Sequence, residues 1–428
     1  MSNKLKRNIF ASLSDRFIVI ALQFAATILM TRFLPRSSFG ILGVVVGVFT
    51  FIHIINISIE AIIWRDHKKM GLDIVAYLNS FISFNILKSI MFFIIGAVTC
   101  LILTLTYDDL RFIPAIISVT FIWSADALTS TLSIYATSTY KHNIITKINA
   151  IRWIFNAILL LGLILFPSLL YIMIKDVFVM LLFCGIWFFW APKKLEIDLW
   201  KNFKFTAPNW EHIKTAFWEY SLWTHLVGVT TSFIYKADVF FLSLFAPMSV
   251  VGNYNVAING ANIANIFPSI LGQQNSVGLS NSKEETENLK TTRLFLILSL
   301  LSACVLLIGF WLLGPLYIKI LTGENNNDIY NYMLCIVFGL LLIKSVASPL
   351  VAYINIKGSV KNLFWHVNLP MLVVAGTIYY LSARYYGVMG LAISNIVNSA
   401  LWCLLLSIEG YRHKLGPIKL LKLIMRSP

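Results

Sequence analysis

Apolar runs of about twenty residues succeed one another along most of this 428-residue chain. Wound as helix at about 1.5 Å per residue, such a run crosses about 30 Å of hydrocarbon. We read twelve of them, at 9–31, 40–62, 79–105, 112–138, 148–166, 169–190, 216–244, 252–272, 294–314, 331–355, 363–383 and 388–410. Residues are 58% hydrophobic and 12% charged, whereas soluble domains are about a quarter charged. The chain therefore reads as an all-α integral membrane protein, since the short alternating segments of a transmembrane β-barrel are not its pattern. The first run comes after the basic start MSNKLKRN, extends about 25 residues and lacks a small-residue cleavage site, so it reads as a retained helix.

The net charge of +15 has a definite place. An even number of spans puts both ends on one side, and that side collects 23 Lys and Arg against five opposite, Arg32, Arg36, Arg111, Lys319 and Arg384. Such an imbalance is what the positive-inside rule describes, so both termini are expected in the cytoplasm. The basic balance then reports topology, and nucleic acid is not an expected partner.

The longest polar interruption, Pro192 to Lys214, divides the spans six and six. We read 1–191 as an N-terminal lobe, 192–215 as a cytoplasmic linker with a membrane-surface character, 216–411 as a C-terminal lobe and 412–428 as a basic cytoplasmic tail. Two short echoes support a duplication. FLPRSSFG at Phe33–Gly40 returns as FAPMSVVG at Phe245–Gly252, and STLSIY at Ser130–Tyr135 returns as SPLVAY at Ser348–Tyr353. Six is even, so the two copies insert the same way round, about a pseudo-two-fold axis along the membrane normal. Two lobes with a central cavity are the expected architecture.

Charges within a bilayer are costly and tend to face a cavity or a partner. On the first span Ser12, Arg16, Gln23 and Thr27 share one helical side, and on the fourth Asp126, Ser130, Ser133 and Thr137 do so. Lys344 stands 218 residues after Asp126 and is succeeded four residues on by Ser348, so a base in one half answers an acid in the other. Asn255, Asn259 and Asn262 line one face of the eighth span, where the first half has Gly43, Gly47 and Thr50. Lys88, Lys236, Asp238 and Glu60 complete the candidates, although residues near span ends, Arg152 and Glu60 among them, can snorkel. The GVVVG pattern at Gly43–Gly47 equally suits close helix packing.

Other chemistry has no support in the pattern. The five cysteines lie inside apolar runs without CxxC spacing, the seven histidines are scattered, and there is no GxxxxGK[ST] phosphate loop. No metal or organic cofactor is expected. Polar stripes in two six-helix lobes describe an alternating-access transporter, and the basic excess of Arg16, Lys88, Lys236 and Lys344 over Asp126 and Asp238 favours an anionic substrate such as a phosphate ester.

FLPRSSFG, its copy FAPMSVVG and the approach YKADVFFLSLFAP resemble motifs of the multidrug/oligosaccharidyl-lipid/polysaccharide exporter superfamily, and within it the bacterial O-antigen flippases of the Wzx type. Val251, in place of an aromatic before Gly252, departs from the motif. The resemblance implies a non-enzymatic flippase in the bacterial cytoplasmic (inner) membrane, moving undecaprenyl-diphosphate-linked oligosaccharide from the inner to the outer leaflet and acting beside polysaccharide assembly proteins. It also implies that Asp15-Arg16 sits near the diphosphate. On that basis Arg16 and Lys344, with Lys88 and Lys236, are expected to hold the diphosphate. Gln23, Asn255, Asn259, Asn262, Ser130 and Ser348 would meet sugar or line the cavity. Asp126, Asp238 or Glu60 would carry a coupling proton or sodium ion. A drug or cation exporter of the same fold, with an acidic cavity, is the competing reading. A polymerase or glycosyltransferase of the same assembly is another.

Overall fold

The computed structural model describes residues 21–52, 54, 56–63, 74–197, 208–281 and 285–412, and every regular element among them is helical. The solvent is the reason: in hydrocarbon each backbone N–H and C=O must be satisfied within its own segment, which a helix does. In the first half the chain forms α1 (Ala21–Phe33), α2 (Arg36–Ile52), α3 (Ile74–Tyr107), α4 (Phe112–Ser138), α5 (His142–Leu160) and α6 (Leu169–Gly185). A short helix α7 (Trp210–Ala216) leads through a π turn into α8 (Leu222–Ser243). Then come α9 (Met248–Ala261), α10 (Ile266–Asn281), α11 (Glu285–Thr322), α12 (Asn327–Leu342), α13 (Ser348–Lys357) and α14 (Leu369–Arg412).

Eight helical stretches among the described residues are long and apolar enough to cross a membrane. The shorter α1 and α2, and α9 with α10 joined by a 3₁₀ turn at Asn262–Asn265, are the others. At 44 residues α14 would run about 66 Å, twice the hydrocarbon thickness. It breaks at Gly387, whose φ of 58° and ψ of −145° lie where a side chain is strongly disfavoured. The two arms correspond to the runs at 363–383 and 388–410, so about twelve spans are accounted for. The protein is a multi-pass, all-α membrane protein.

Side-chain caps set several helix starts. Ser168 accepts from the Tyr171 amide at 3.2 Å at the head of α6, Asn209 accepts from Glu211 and His212 before α7, and Asn326 accepts from Ile329 at 3.0 Å before α12. Each supplies an acceptor to orphan first-turn amides, worth about 1 kcal/mol per cap.

Contacts divide the chain into two compact units, 1–225 and 226–428. That boundary lies about ten residues beyond the linker expected at 192–215. The difference has a local cause, because residues at the end of the linker and just after it bond back into the first unit. The Asn209 amide donates to Ser80 Oγ at 2.8 Å, Ser221 Oγ to the Ser58 carbonyl at 2.9 Å, and His225 Nε2–H to the Ile54 carbonyl at 2.8 Å.

In the first unit α3 packs on α4 and α4 on α6, around a core that includes Tyr77, Phe81, Ile82, Leu132, Ile148 and Trp187. In the second, α12 packs on α14 and α9, with Tyr254, Met333, Val337 and Tyr379 buried. The α12–α14 contact depends on Gly339, where an added Cβ would stand 2.9 Å from the Asn395 carbonyl oxygen. By contrast, Leu301, Val305, Ile308 and Leu312 of α11 are all exposed, as a lipid-facing surface should be.

Candidate functional site

Among the described residues, the first unit gathers the charges within its spans into three pairs. The deepest depends on an early break in α2, which stops at Ile52, leaving residues 56–59 non-helical before a 3₁₀ turn at Glu60–Ile62. Glu60 is thereby held deep, level with Lys88, fourteen residues into α3. The two side chains, 1% and 4% exposed, stand 3.4 Å apart. Ser130 Oγ donates to Glu60 Oε1 at 2.8 Å, Ser58 Oγ to Glu60 Oε2 at 3.2 Å, and Lys88 Nζ also donates to the Ile57 carbonyl at 3.3 Å. Asn85 ties the pair to α4 through Ser130 at 3.1 Å and Thr131 at 3.0 Å. Glu60 does not snorkel, and Lys88 is neutralised where it lies. A buried pair so surrounded by donors is tolerable because each carboxylate oxygen accepts at least one hydrogen bond.

The second pair is Asp126 and Arg152, 2.9 Å apart, with the guanidinium 4.3 Å above the Phe183 ring. Arg152 is thus held by a partner and a ring and does not snorkel. Asp126 stands twelve residues before the end of α4 and Arg152 ten after the start of α5, so an antiparallel hairpin brings them to one depth. The third is Lys175 with Asp176 on α6, where Lys175 Nζ donates to Asn156 Oδ1 at 2.6 Å and Ser118 Oγ donates to Asp176. Gly43, Gly47 and Thr50 are buried along α2, which packs on α4. Gln23 is exposed on α1. Arg16 lies outside the described residues.

The second unit is arranged differently. Asp238 of α8 is 1% exposed and has no cation among the described residues within ion-pair distance. It is held instead by neutral donors: Tyr254 Oη at 2.7 Å, Asn395 Nδ2 at 3.1 Å and the Val239 amide at 2.9 Å. Asn395 Nδ2 also lies 2.9 Å from Tyr254 Oη, and Tyr379 Oη, donating to the Ile234 carbonyl at 2.6 Å, lies 3.1 Å from Asn395 Oδ1. Asn398, one turn along α14, is 1% exposed and its amide lies beside Tyr379. Lys236 is exposed, since residues two apart on a helix point to opposite sides.

Lys344 sits in the π turn Ile343–Ala347, half-buried, with its ammonium 5.6 Å from the Tyr235 ring centre. Tyr235 in turn meets Trp402 edge-on at 5.5 Å. Extra-residue turns of this kind recur at functional sites, because they shift the register of the helix downstream. Neither Lys236 nor Lys344 has a carboxylate within ion-pair distance among the described residues, although Lys88, Arg152 and Lys175 all do.

Of the asparagine stripe, Asn255 is buried and Asn259 Nδ2 donates to its side-chain oxygen at 3.1 Å and its carbonyl at 2.8 Å, so the Asn259 amide turns to Asn255. Asn262 is exposed at the 3₁₀ turn. Ser348 lies against Gly272, where a Cβ would come within 2.7 Å of its Oγ. Ser130 belongs to the Glu60 network. Tyr254, Tyr379, Asn395 and Asn398 do not stand out in the sequence. Their one-dimensional signal is weak, because amide and phenol side chains at isolated positions are common in membrane helices.

No protein-family model matches the chain, and comparison with curated proteins finds no match. Solved structures do share its fold. The inward closed conformation of lipid II flippase MurJ aligns with a TM-score of 0.70 at 13% identity, over 96% of this chain and 89% of that one. An inward-facing multidrug resistance MATE family transporter of the MOP superfamily aligns at 0.65 and 16% identity, over 95% and 98%. A Vibrio cholerae MATE transporter, VcmN, aligns at 0.60 and 12%, over 96% and 97%. The chain therefore has the fold of MOP-superfamily transporters and flippases.

Proposed function

We propose that this protein is a flippase that moves an undecaprenyl-diphosphate-linked oligosaccharide from the inner to the outer leaflet of the bacterial cytoplasmic membrane by alternating access, with both termini cytoplasmic. The observation that carries the reading is the charge arrangement. Three intramembrane cations are matched by acids, whereas Lys344 and Lys236 have no carboxylate partner among the described residues. An ammonium left unmatched within a span is expensive unless an anion or water meets it, and a diphosphate supplies several strong acceptors. The fold shared with a lipid II flippase supports a lipid-linked sugar as the substrate class. Arg16 and Lys344 hold the diphosphate, with Lys236 assisting, while Lys88 serves the Glu60 pair in this conformation. Gln23, Asn262 and Ser348 are offered to sugar.

Asp238 is the coupling group. Glu60 and Asp126 each have a cation beside them, whereas Asp238 has only neutral donors among the described residues. Such a carboxylate is suited to bind a proton or a sodium ion, which would neutralise it in place.

The test is reconstitution into vesicles with a labelled lipid-linked oligosaccharide, scored by its exposure in the opposite leaflet. Lys344→Ala and Arg16→Ala should abolish transfer while membrane levels hold, and Asp238→Asn should remove dependence on the ion gradient. Normal transfer by both cation variants would overturn the reading. The MATE transporters sharing the fold make a drug or cation exporter the second reading. Efflux of a cationic dye, with no transfer of the labelled lipid, would establish it.

A further inference from the structure

Between α3 and α4 lies a cavity of about 570 Å³ whose walls include Gly96, Ala97, Cys100, Thr104, Ile116 and Thr120. The two helices approach closely at its Gly96 wall, where an added Cβ would come within 2.5 Å of Thr120 Oγ1. Its scale is that of a chain ligand: a 150 Å³ apolar cavity takes a benzene ring, so this one holds about twenty carbons. Both walls belong to membrane-spanning helices, so hydrocarbon is what reaches it. Within this lining the hydroxyl oxygens of Thr104 and Thr120 are buried without a hydrogen-bond partner among the described residues. Thr104 lies four residues, about 6 Å, before the corner at Asp108, the depth at which the ester groups of a bilayer lipid lie.

The corner above it carries both signs of charge. Arg111 bonds Asp109 at 2.7 Å and donates to Ser37 Oγ at 2.8 Å. That guanidinium holds the Asp109 carboxyl below the usual carboxylate range. Arg36, beside Ser37, donates to the Thr31 carbonyl at 3.0 Å. Asp108 is exposed, at a left-handed φ of 48°. By the loop-charge asymmetry this corner faces the outer side.

We propose that the α3–α4 groove and its corner bind an outer-leaflet phospholipid with a primary ammonium headgroup, of the phosphatidylethanolamine class. One acyl chain fills the groove, the ester carbonyl accepts from Thr104, the phosphate meets Arg111 and the ammonium meets Asp108. The pairing of signs selects the headgroup. Phosphatidylglycerol carries the same phosphate but an uncharged glycerol, so it would offer Asp108 no cation, and a polyprenyl diphosphate would add negative charge beside Asp108 and Asp109. The site is separate from the transport cations, so it stands whether or not the proposed substrate is right.

The experiment is photolabelling of the full chain in vesicles, using phosphatidylethanolamine, phosphatidylglycerol and polyprenyl diphosphate probes that each carry a diazirine on the chain, with peptide mapping of the products. The ethanolamine probe should label the segments 96–104 and 113–121 about tenfold more than the other two, the size of one charge-assisted hydrogen bond. Asp108→Asn, which tolerates the same backbone, should bring labelling down to the phosphatidylglycerol level. Cys100→Trp should fill the groove and abolish it. Unchanged labelling on the lipid-facing side of α11 reports that the variants remain folded, and competition by unlabelled phosphatidylethanolamine on the wild type tests the site without any substitution. Equal labelling by the three probes, labelling as strong on α11 as in the groove, or no effect of competition would overturn the proposal.

Discussion

Glu60→Gln keeps the size of the side chain and removes its charge, leaving the Lys88 ammonium, 4% exposed, with only the Ile57 carbonyl and weak neutral acceptors. Removing one member of a buried ion pair costs about 3–5 kcal/mol, because the other charge stays desolvated. For a unit of about 225 residues, 1 kcal/mol moves a midpoint by about 2–4 °C, so a fall of about 6–20 °C is expected. The double variant Glu60→Gln/Lys88→Met removes both charges, and should recover most of the loss. A positive coupling of at least about 1 kcal/mol in that double-mutant cycle is the signature of direct interaction. The assay is thermal unfolding of purified protein in one detergent, monitored by monodispersity and intrinsic fluorescence together. If Glu60→Gln unfolds with the wild type, or if the double variant falls by the sum of the singles, the buried pair is not what the geometry indicates.

Four other outcomes rest on particular contacts. Gly339→Ala should cost about 1–3 kcal/mol, read as a lowered unfolding midpoint, because its methyl meets the Asn395 carbonyl 2.9 Å away on a second helix. Gly387→Ala should cost about 1–2 kcal/mol through its left-handed φ, with a visible loss of folded yield; no steric clash contributes, since nothing lies within 4 Å. Tyr254→Phe removes a donor from a buried carboxylate and should weaken folding by about 1–3 kcal/mol, checked by the same unfolding measurement. The α3–α4 corner should lose stability in acid: Asp109 binds its proton less readily folded than unfolded, so its contribution is present above the unfolded value and is lost as pH falls through the lowered folded one. Arg111→Gln should flatten that acid limb in a pH series of unfolding midpoints.

Much of the framework can be read from one dimension. Hydrocarbon demands long apolar runs, so the runs announce the helices, and even the break at Gly387 falls between the runs at 363–383 and 388–410. The Asp126–Arg152 pair is also within reach of the sequence, since the two lie at similar distances from the α4–α5 turn. Glu60 is harder, because an unbroken second span to residue 62 would place it at the membrane edge. Only the end of α2 at Ile52 brings it to the level of Lys88. The asparagine stripe does lie on one face, yet periodicity cannot say that Asn259 turns to Asn255 and not to a ligand.

By itself, then, the sequence determined the solvent, the helices and the sign of the intramembrane charge, because each of these depends on residue type and spacing along one chain. Which charges cancel was decided by tertiary structure alone. Coulomb energy depends on separation and on the exclusion of water, and both are set by where α3, α4, α5 and α8 come to lie. Glu60 and Asp238 are both acids in membrane segments, yet packing gave the first a lysine at 3.4 Å and the second a tyrosine, an asparagine and a backbone amide.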